Sequence, residues 1–390
     1  MVFKKKEKKI PTGFNSVNEF FDYLYKKEDL IWMGQNTNHL QKDKHIENAL
    51  IEAARKRNYC KYPPPEGFPE LKELILKDLD LSPEDYDIQI TASATEALYL
   101  AISTTLHHTT NTIASDPGYL IINNFCNRFG HHVKEIPIYN EECGYKLTPQ
   151  LIRENIDMQT KMIILIDPMN PMGYTYTEEE IKEIAEIAKE NNIFVLHDIT
   201  YKDFAKEHHL VAHYAPEHTI TIYSFSKIFG MAGLRIGSVI SSPDLIRKMR
   251  ASVINDLGTN SLAQEAGIAG LESKNEWLDE LKETCFKNQK LIKEAIDETE
   301  GVFLPIYPVD ANMMTVDISK TGLTPEEISE YLLNEKGIFV REGNYTSKLF
   351  GDKYIRISFS IPTEEATKFR EEFPKAIKYL QEKREISELT

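Results

Sequence analysis

Two apolar runs one helix apart constrain this chain more than anything else in it. KMIILIDP (161–168) is continuously apolar, the pattern of a strand buried on both faces. IFVLHD (193–198) is a second such run. Between them lies TEEEIKEIAEIAKENN, where Ile181, Ile184, Ala185 and Ala188 fall on one helical face and Thr177 with Glu180 fits a capping box. Strand, helix, strand at this spacing is a βαβ unit, so the sheet is expected to be mostly parallel and covered by helices.

The alternation recurs. YDIQITAS runs into ATEALYLAISTTL, and TIASDP into YLIINNFCNRFG, while TITIYSFS and GSVISS add two more strands. From about residue 270 the pattern changes to a long charged helix (SKNEWLDELKETCFKNQKLIKEAIDET), the strand ANMMTVDIS, a helix near PEEISEYLLNE and the strand YIRISFS. The expectation is an arm over 1–45, a large α/β domain over 46–275 and a smaller α+β domain over 276–390.

Bulk properties exclude several functions. The net charge of -15 disfavours nucleic acid as a partner, because phosphate binding needs a basic face. The KKKEKK run near the start reads as a solvated tail. No apolar stretch reaches the roughly 20 residues of a membrane span. No apolar run follows the Lys-rich start, so no signal peptide is expected. The 4 cysteines have no paired metal spacing and read as reduced thiols, which points to the cytoplasm. Among the histidines only His209 and His213 have a chelating spacing, and no functional metal is expected.

Ligands of open α/β sheets bind beyond the carboxyl ends of the strands. The residues just past those ends are Ser93-Ala94-Thr95, Asp116-Pro117-Gly118-Tyr119, Asn170-Pro171, Asp198 with Tyr201, and Ser224 to Lys227. Desolvation lowers a lysine pKa, and the neutral amine can attack a carbonyl to form a Schiff base. A lone lysine otherwise keeps its ammonium in water and its stem on the surface. Ser224, Ser226 and Arg235 suit phosphate oxygens, and the turn Ser93-Ala94-Thr95 enters a helix whose backbone N–H groups bind anions. Taken singly these are cap residues and a surface arginine. Asp198 ends a buried strand and needs a cationic or donor partner, either a nearby side chain or a protonated ring nitrogen. Tyr119 reads equally as core or as a ring-stacking group. A phosphate site, a flat-ring contact, an acid and a Schiff-base lysine together describe pyridoxal 5′-phosphate.

The segment YSFSKIFGMAGLRIG resembles the lysine segment of the class I/II aminotransferases, the aspartate-aminotransferase-like, fold type I enzymes that use this cofactor. KYPPPEGFPELKELI, ITASATEALYLAI, DPGY, DPMNPMG, DITYKDF and YIRISFS resemble further segments of that family, in the family's order. The resemblance implies a ping-pong aminotransferase acting on an L-amino acid and a 2-oxo acid. It implies Lys227 as the Schiff-base lysine and proton carrier, and Asp198 on the pyridine nitrogen. Asn170 and Tyr201 would meet the ring's phenolic oxygen, and Tyr119 the ring face. Ser224, Arg235, Thr95, Ser93 and the Ala94 backbone would hold the phosphate. Arg356, with Asn170 beside it, would take the substrate's α-carboxylate. Tyr62 would reach the neighbouring site of a homodimer.

Departures from the family pattern are the glycine-free turn SAT, Met169 and Met172 around the Asn-Pro pair, and two segments, WMGQNTNHLQ and NYTSKLFGDK, that fall where a substrate pocket is shaped. Arg55, Arg57, Arg128 and Arg341 are unassigned, and no substrate is carried over. The same cofactor residues would also serve a decarboxylase, a β-lyase or a cyclising synthase. A non-catalytic cofactor-binding regulator is the remote alternative, disfavoured by the acidic charge and the lack of a DNA-binding module.

Overall fold

The computed structural model describes residues 14–40, 43–253 and 257–389. The KKKEKK tail lies outside them. A seven-stranded sheet forms the centre, in spatial order Asp87–Thr91, Gly237–Ser241, Thr219–Ser224, Phe194–Asp198, Thr160–Ile166, Asn111–Asp116 and His132–Pro137. The last five run parallel. Gly237–Ser241 runs antiparallel to both of its neighbours. The α/β class with a mostly parallel sheet is as the sequence implied.

The strands that read as continuously apolar are those buried on both faces: Met162 to Ile166, Val195, Leu196, Ile220 and Ile222 are all covered. The helix Glu178–Asn191 starts with the expected capping box of Thr177 and Glu180. It turns Ile181, Ile184, Ala185, Ile187 and Ala188 inward and stops at Asn192 in the left-handed region, φ 50. Fully burying each large aliphatic contributes roughly 1.5–3 kcal/mol, enough to fix this layer without any polar contact.

The C-terminal part is built differently. Arg341–Glu342, Tyr354–Ser358 and Met313–Asp317 form a three-stranded antiparallel sheet. The helices Lys274–Asp297, Pro325–Lys336 and Thr363–Leu389 belong to it. Residues 14–40 lie against this unit. Their helix Val17–Lys26 buries Phe20 and Leu24 beside Leu333 and Phe339. Ile31–Trp32 then pairs in parallel with Ile338–Phe339. Met33 accepts at its carbonyl from the Ser358 N–H at 2.8 Å, which carries the chain towards the carboxyl edge of the central sheet.

Candidate active site

One cleft collects the ends of the parallel strands and the arm, with a volume of about 280 Å³. Ser93, Ala94, Thr95, Tyr119, Asn170, Asp198, Tyr201, Ser224, Lys227, Arg235 and Arg356 all line it. The one expected site residue elsewhere is Tyr62, which is 79% exposed on this chain and is not part of the lining.

At one end sits the helix Ala94–Thr105. Its cap residue Ser93 makes no side-chain cap bond and holds φ 90, in the left-handed region that favours glycine. This is the turn that the sequence supplies without glycine, and the strain sits where the first helical N–H groups open into the cleft. Among the described residues the Ala94 and Thr95 N–H groups have no acceptor, so they are free for an anion. Gly237 makes this geometry possible: a Cβ there would stand 2.5 Å from the Ala94 nitrogen. Arg235 lies exposed at the same end and donates only to the Ala232 carbonyl, at 2.9 Å, with no carboxylate partner among the described residues. Ser224 is buried and accepts from the Ser226 N–H.

Deeper in, Asp198 is 4% exposed. Its Oδ1 accepts from the Thr200 hydroxyl at 2.6 Å and the Thr200 N–H at 3.1 Å. Its partners within the chain are thus donors, a hydroxyl and an amide, and Oδ2 has no donor among the described residues. Burial raises its pKa to about 6, against the pull of the Thr200 bonds and Lys227. Lys227 donates to the Gln35 carbonyl at 3.0 Å and forms no ion pair among the described residues. Burial, then Arg356 and Arg235, bring its pKa down to about 7, with Asp198 acting the other way. Its ammonium is thereby made easy to discharge, as a nucleophilic amine requires.

Tyr201 is buried, accepts from Asn36 Nδ2 at 3.2 Å, and is pushed up to about 12 by burial. Arg356 is 3% exposed and spans two elements, donating to Asn170 Oδ1 at 2.9 Å and to the Gly34 carbonyl at 2.7 Å. Its Nε has no acceptor among the described residues, which leaves a buried guanidinium donor facing the cleft. Gln35, Asn36 and Thr37 line the cleft, as does Tyr345, so both segments that depart from the family pattern reach the pocket. Asn36 itself escaped the sequence reading. Its one signal is an asparagine able to hold φ 53 in the left-handed region.

Met169 and Met172 are buried core, 1% exposed each. The histidine expectation needs correction. His213 hydrogen-bonds the Leu79 carbonyl, and the group with metal-like spacing is Asp167, His197 and His208. The Val211 N–H donates to His197 Nδ1, which leaves the proton on Nε2, facing Asp167 Oδ2 at 3.3 Å. Burial alone would raise Asp167, but His208 and His197 hold it well below the usual carboxylate range. The trio reads as a buried hydrogen-bonded carboxylate.

The cleft fits pyridoxal 5′-phosphate on its own terms: free helix N–H groups and Arg235 for the phosphate, a half-engaged carboxylate for the ring nitrogen, and an amine without a counter-ion. Comparison with known proteins agrees. The chain is 30% identical over 375 residues to an aspartate aminotransferase of Pyrococcus horikoshii, covering 93% of this chain and 94% of the relative. It is 27% identical over 358 residues to a probable N-acetyl-LL-diaminopimelate aminotransferase of Bacillus subtilis, covering 89% and 88%. The crystal structure of an aromatic aminotransferase from Pyrococcus horikoshii superposes with a TM-score of 0.81 at 26% identity, over 93% of this chain and 99% of that one. The family model for aminotransferase class I and II matches residues 28–373, and the chain belongs to that family of pyridoxal-phosphate-dependent transaminases.

Proposed function

We propose that this transaminase exchanges an amino group between an L-amino acid and a 2-oxo acid in two half-reactions at the Lys227 cleft. The observation that carries the reading is the Lys227 amine, buried without a counter-ion among Asp198, Arg356 and Arg235. The cofactor supplies an electrophilic aldehyde and an electron-withdrawing ring. The chain supplies the rest. The Ala94 and Thr95 N–H groups, Ser93, Ser224 and Arg235 hold the phosphate. Tyr119 covers the ring face, while Asn170 and Tyr201 address its phenolic oxygen. With the cofactor bound, Oδ2 of Asp198 would hold a proton on the ring nitrogen. Arg356 forks the α-carboxylate with Asn170 beside it, which fixes the substrate's Cα near Lys227. With the cofactor bound, the neutral amine of Lys227 would accept the Cα proton and carry it within the cleft. The domains are read as a 46–275 unit that carries the cofactor and a 276–390 unit with which the 1–45 arm packs, a reading supported by the pairing of Ile31–Trp32 with Ile338–Phe339.

Tyr62 is assigned to the site of a second copy of this chain on the resemblance of KYPPPEG to the family's segment, and its exposure away from the chain's own cleft supports the assignment. Mixing Lys227→Ala with Tyr62→Ala subunits tests this. Each mixed dimer would rebuild one intact site, so activity should rise above both parents; no recovery refutes the assignment. A cytoplasmic setting is supported by four cysteines that form no disulfide. Among the described residues no helix is long and apolar enough to cross a membrane.

The reaction is tested with the cofactor-loaded enzyme and single amino acids. Transamination consumes the bound cofactor's visible absorbance in proportion to enzyme, and a 2-oxo acid restores it. Multiple product turnovers without an oxo-acid acceptor would instead indicate a decarboxylase or lyase.

A further inference from the structure

Three consecutive residues of the arm each hold a side chain of the cleft, by different groups. The Gly34 carbonyl accepts from Arg356 Nη2 at 2.7 Å and from Arg341 Nε at 3.1 Å. The Gln35 carbonyl accepts from Lys227 Nζ at 3.0 Å. Asn36 alone uses its side chain, donating from Nδ2 to the Tyr201 hydroxyl oxygen at 3.2 Å. The two carbonyl contacts belong to the backbone and survive most substitutions. The third depends on one amide, and none of the steps above uses it.

That amide is held rigidly. Asn36 is 1% exposed and faces the cleft. Its carbonyl accepts from Asn312 Nδ2 at 3.1 Å, and the Thr37 carbonyl accepts from the Ser360 hydroxyl at 3.0 Å. Asn38 Nδ2 donates to the carbonyl of Ile228, next to Lys227, at 2.8 Å. The orientation of the Asn36 amide is fixed as well. Its Nδ2 also faces the sulfur of Met313, a thioether with no proton to give, so the NH2 group and not Oδ1 lies on the Tyr201 side.

This polarity decides what Tyr201 can do. A phenol carries one proton. With an N–H aimed at its oxygen, the hydroxyl accepts from Asn36 and its own hydrogen turns elsewhere. Among the described residues no acceptor takes that hydrogen, which leaves it for the cleft. Donation to the oxygen also favours the ionised phenol, which makes the remaining O–H a stronger donor. Burial works against this, while Arg356 and then the Asn36 bond favour ionisation, and Asp198 and Tyr345 oppose it. Lys227 lies with its nitrogen 6.0 Å from the Tyr201 ring centre, and Tyr119 is a further ionisable neighbour.

We propose that Asn36 is a positioning residue that keeps the Tyr201 hydroxyl hydrogen aimed at the cofactor's phenolic oxygen. This rests on the transaminase reading of the same cleft and adds a residue to it. Asn36 acts through Tyr201 and not on the reacting carbon. Donation from Tyr201 stabilises negative charge on the phenolic oxygen, so it should hold down the pH at which the bound cofactor's visible band changes.

The test is an absorbance titration of the cofactor-loaded protein from pH 5 to 10, with no substrate present. Asn36→Gly removes the amide, and glycine holds the φ of 53 freely. Asn36→Asp keeps the size but offers an acceptor, which draws the Tyr201 hydrogen out of the cleft. The midpoint should rise by roughly 0.3–1 pH unit in Asn36→Gly, the scale of one neutral hydrogen bond, and at least as far in Asn36→Asp. In Tyr201→Phe the midpoint should rise by itself, and adding Asn36→Gly should move it no further. If Asn36→Gly does not fold, Asn36→Asp carries the comparison, its shift being larger with Tyr201 present than in Tyr201→Phe. An unmoved midpoint in Asn36→Gly would overturn the proposal. So would equal shifts with Tyr201 present and in Tyr201→Phe, because Asn36 would then not act through the phenol. A wild-type visible band that persists unchanged in Lys227→Ala would instead overturn the transaminase reading beneath it.

Discussion

The reactivity of Lys227 should have a pH profile unlike that of any surface lysine. A lysine at its usual 10.5 is neutral in about one molecule in 3,000 at pH 7. With the pKa brought down to about 7, roughly half of Lys227 is neutral there, a gain of about 1,500-fold in nucleophile. Burial is the leading cause, followed by Arg356 and Arg235, so the effect belongs to the cleft before any cofactor enters. The assay is brief acylation of the cofactor-free protein across pH 5 to 11, with peptide mass spectrometry of Lys227 and of exposed Lys161 as reference. Lys227 labelling should rise through neutrality and level off above about pH 8, while Lys161 keeps climbing. Arg356→Gln should move the midpoint up, because it removes a repelling charge. Asp198→Asn should move it down, because it removes an attracting one. A Lys227 profile that climbs alongside Lys161 past pH 9 would refute the reasoning.

Other outcomes follow from the same geometry. The pKa of Asp198 is raised on folding, so its cost to stability is absent below about pH 4 and complete above about pH 6. Asp198→Asn should therefore stabilise the cofactor-free protein by up to about 3 kcal/mol at pH 8, with no gain at pH 3.5, as read by chemical denaturation. The same variant should lose at least about 100-fold in turnover. Lys227→Ala should keep the fold by circular dichroism and lose transamination; normal turnover would remove the central assignment. Gly237→Ala drives a methyl into the Ala94 nitrogen and the Tyr223 carbonyl, so cofactor affinity should fall at least about tenfold in a titration. Asp116 is fully buried and accepts from the Ser347 hydroxyl and the Lys348 N–H, tying the 344–350 loop to the large sheet. Asp116→Ala should cost about 2–4 kcal/mol in unfolding free energy by stranding both donors.

The parts of this protein that showed in its sequence are those where one local pattern has one structural meaning. The run 161–168 could only be a doubly buried strand, and the Thr177–Glu180 box could only open a helix. Much of the cofactor cleft was legible because Ser93 to Thr95, Asn170, Tyr201 and Ser224 to Lys227 lie at or just past strand ends, whereas Arg235, ahead of a strand, and Arg356, inside one, showed only through the family resemblance. The direction of Gly237–Ser241 was not legible, since an antiparallel strand inside a covered sheet has the same apolar pattern as a parallel one. The strand His132–Pro137 was missed, because its sequence HVKEIP is only partly apolar and lies at the sheet edge. The trio of Asp167, His197 and His208 escaped because its members are 30 and 11 residues apart and meet only through the crossover. Arg341 stayed unassigned for a related reason: nothing local reveals which arginine a strand register will place opposite Arg356.

The single carbonyl of Gly34 links the arm to the two guanidiniums. A side chain at Gly34 would collide with the Phe339 ring, 2.6 Å from the nearest ring carbon, so that segment cannot shift without disturbing the arginines. The same stretch gives its Gln35 carbonyl to Lys227 and its Asn36 amide to Tyr201, so an insertion or register change there would disturb both ends of the cleft at once.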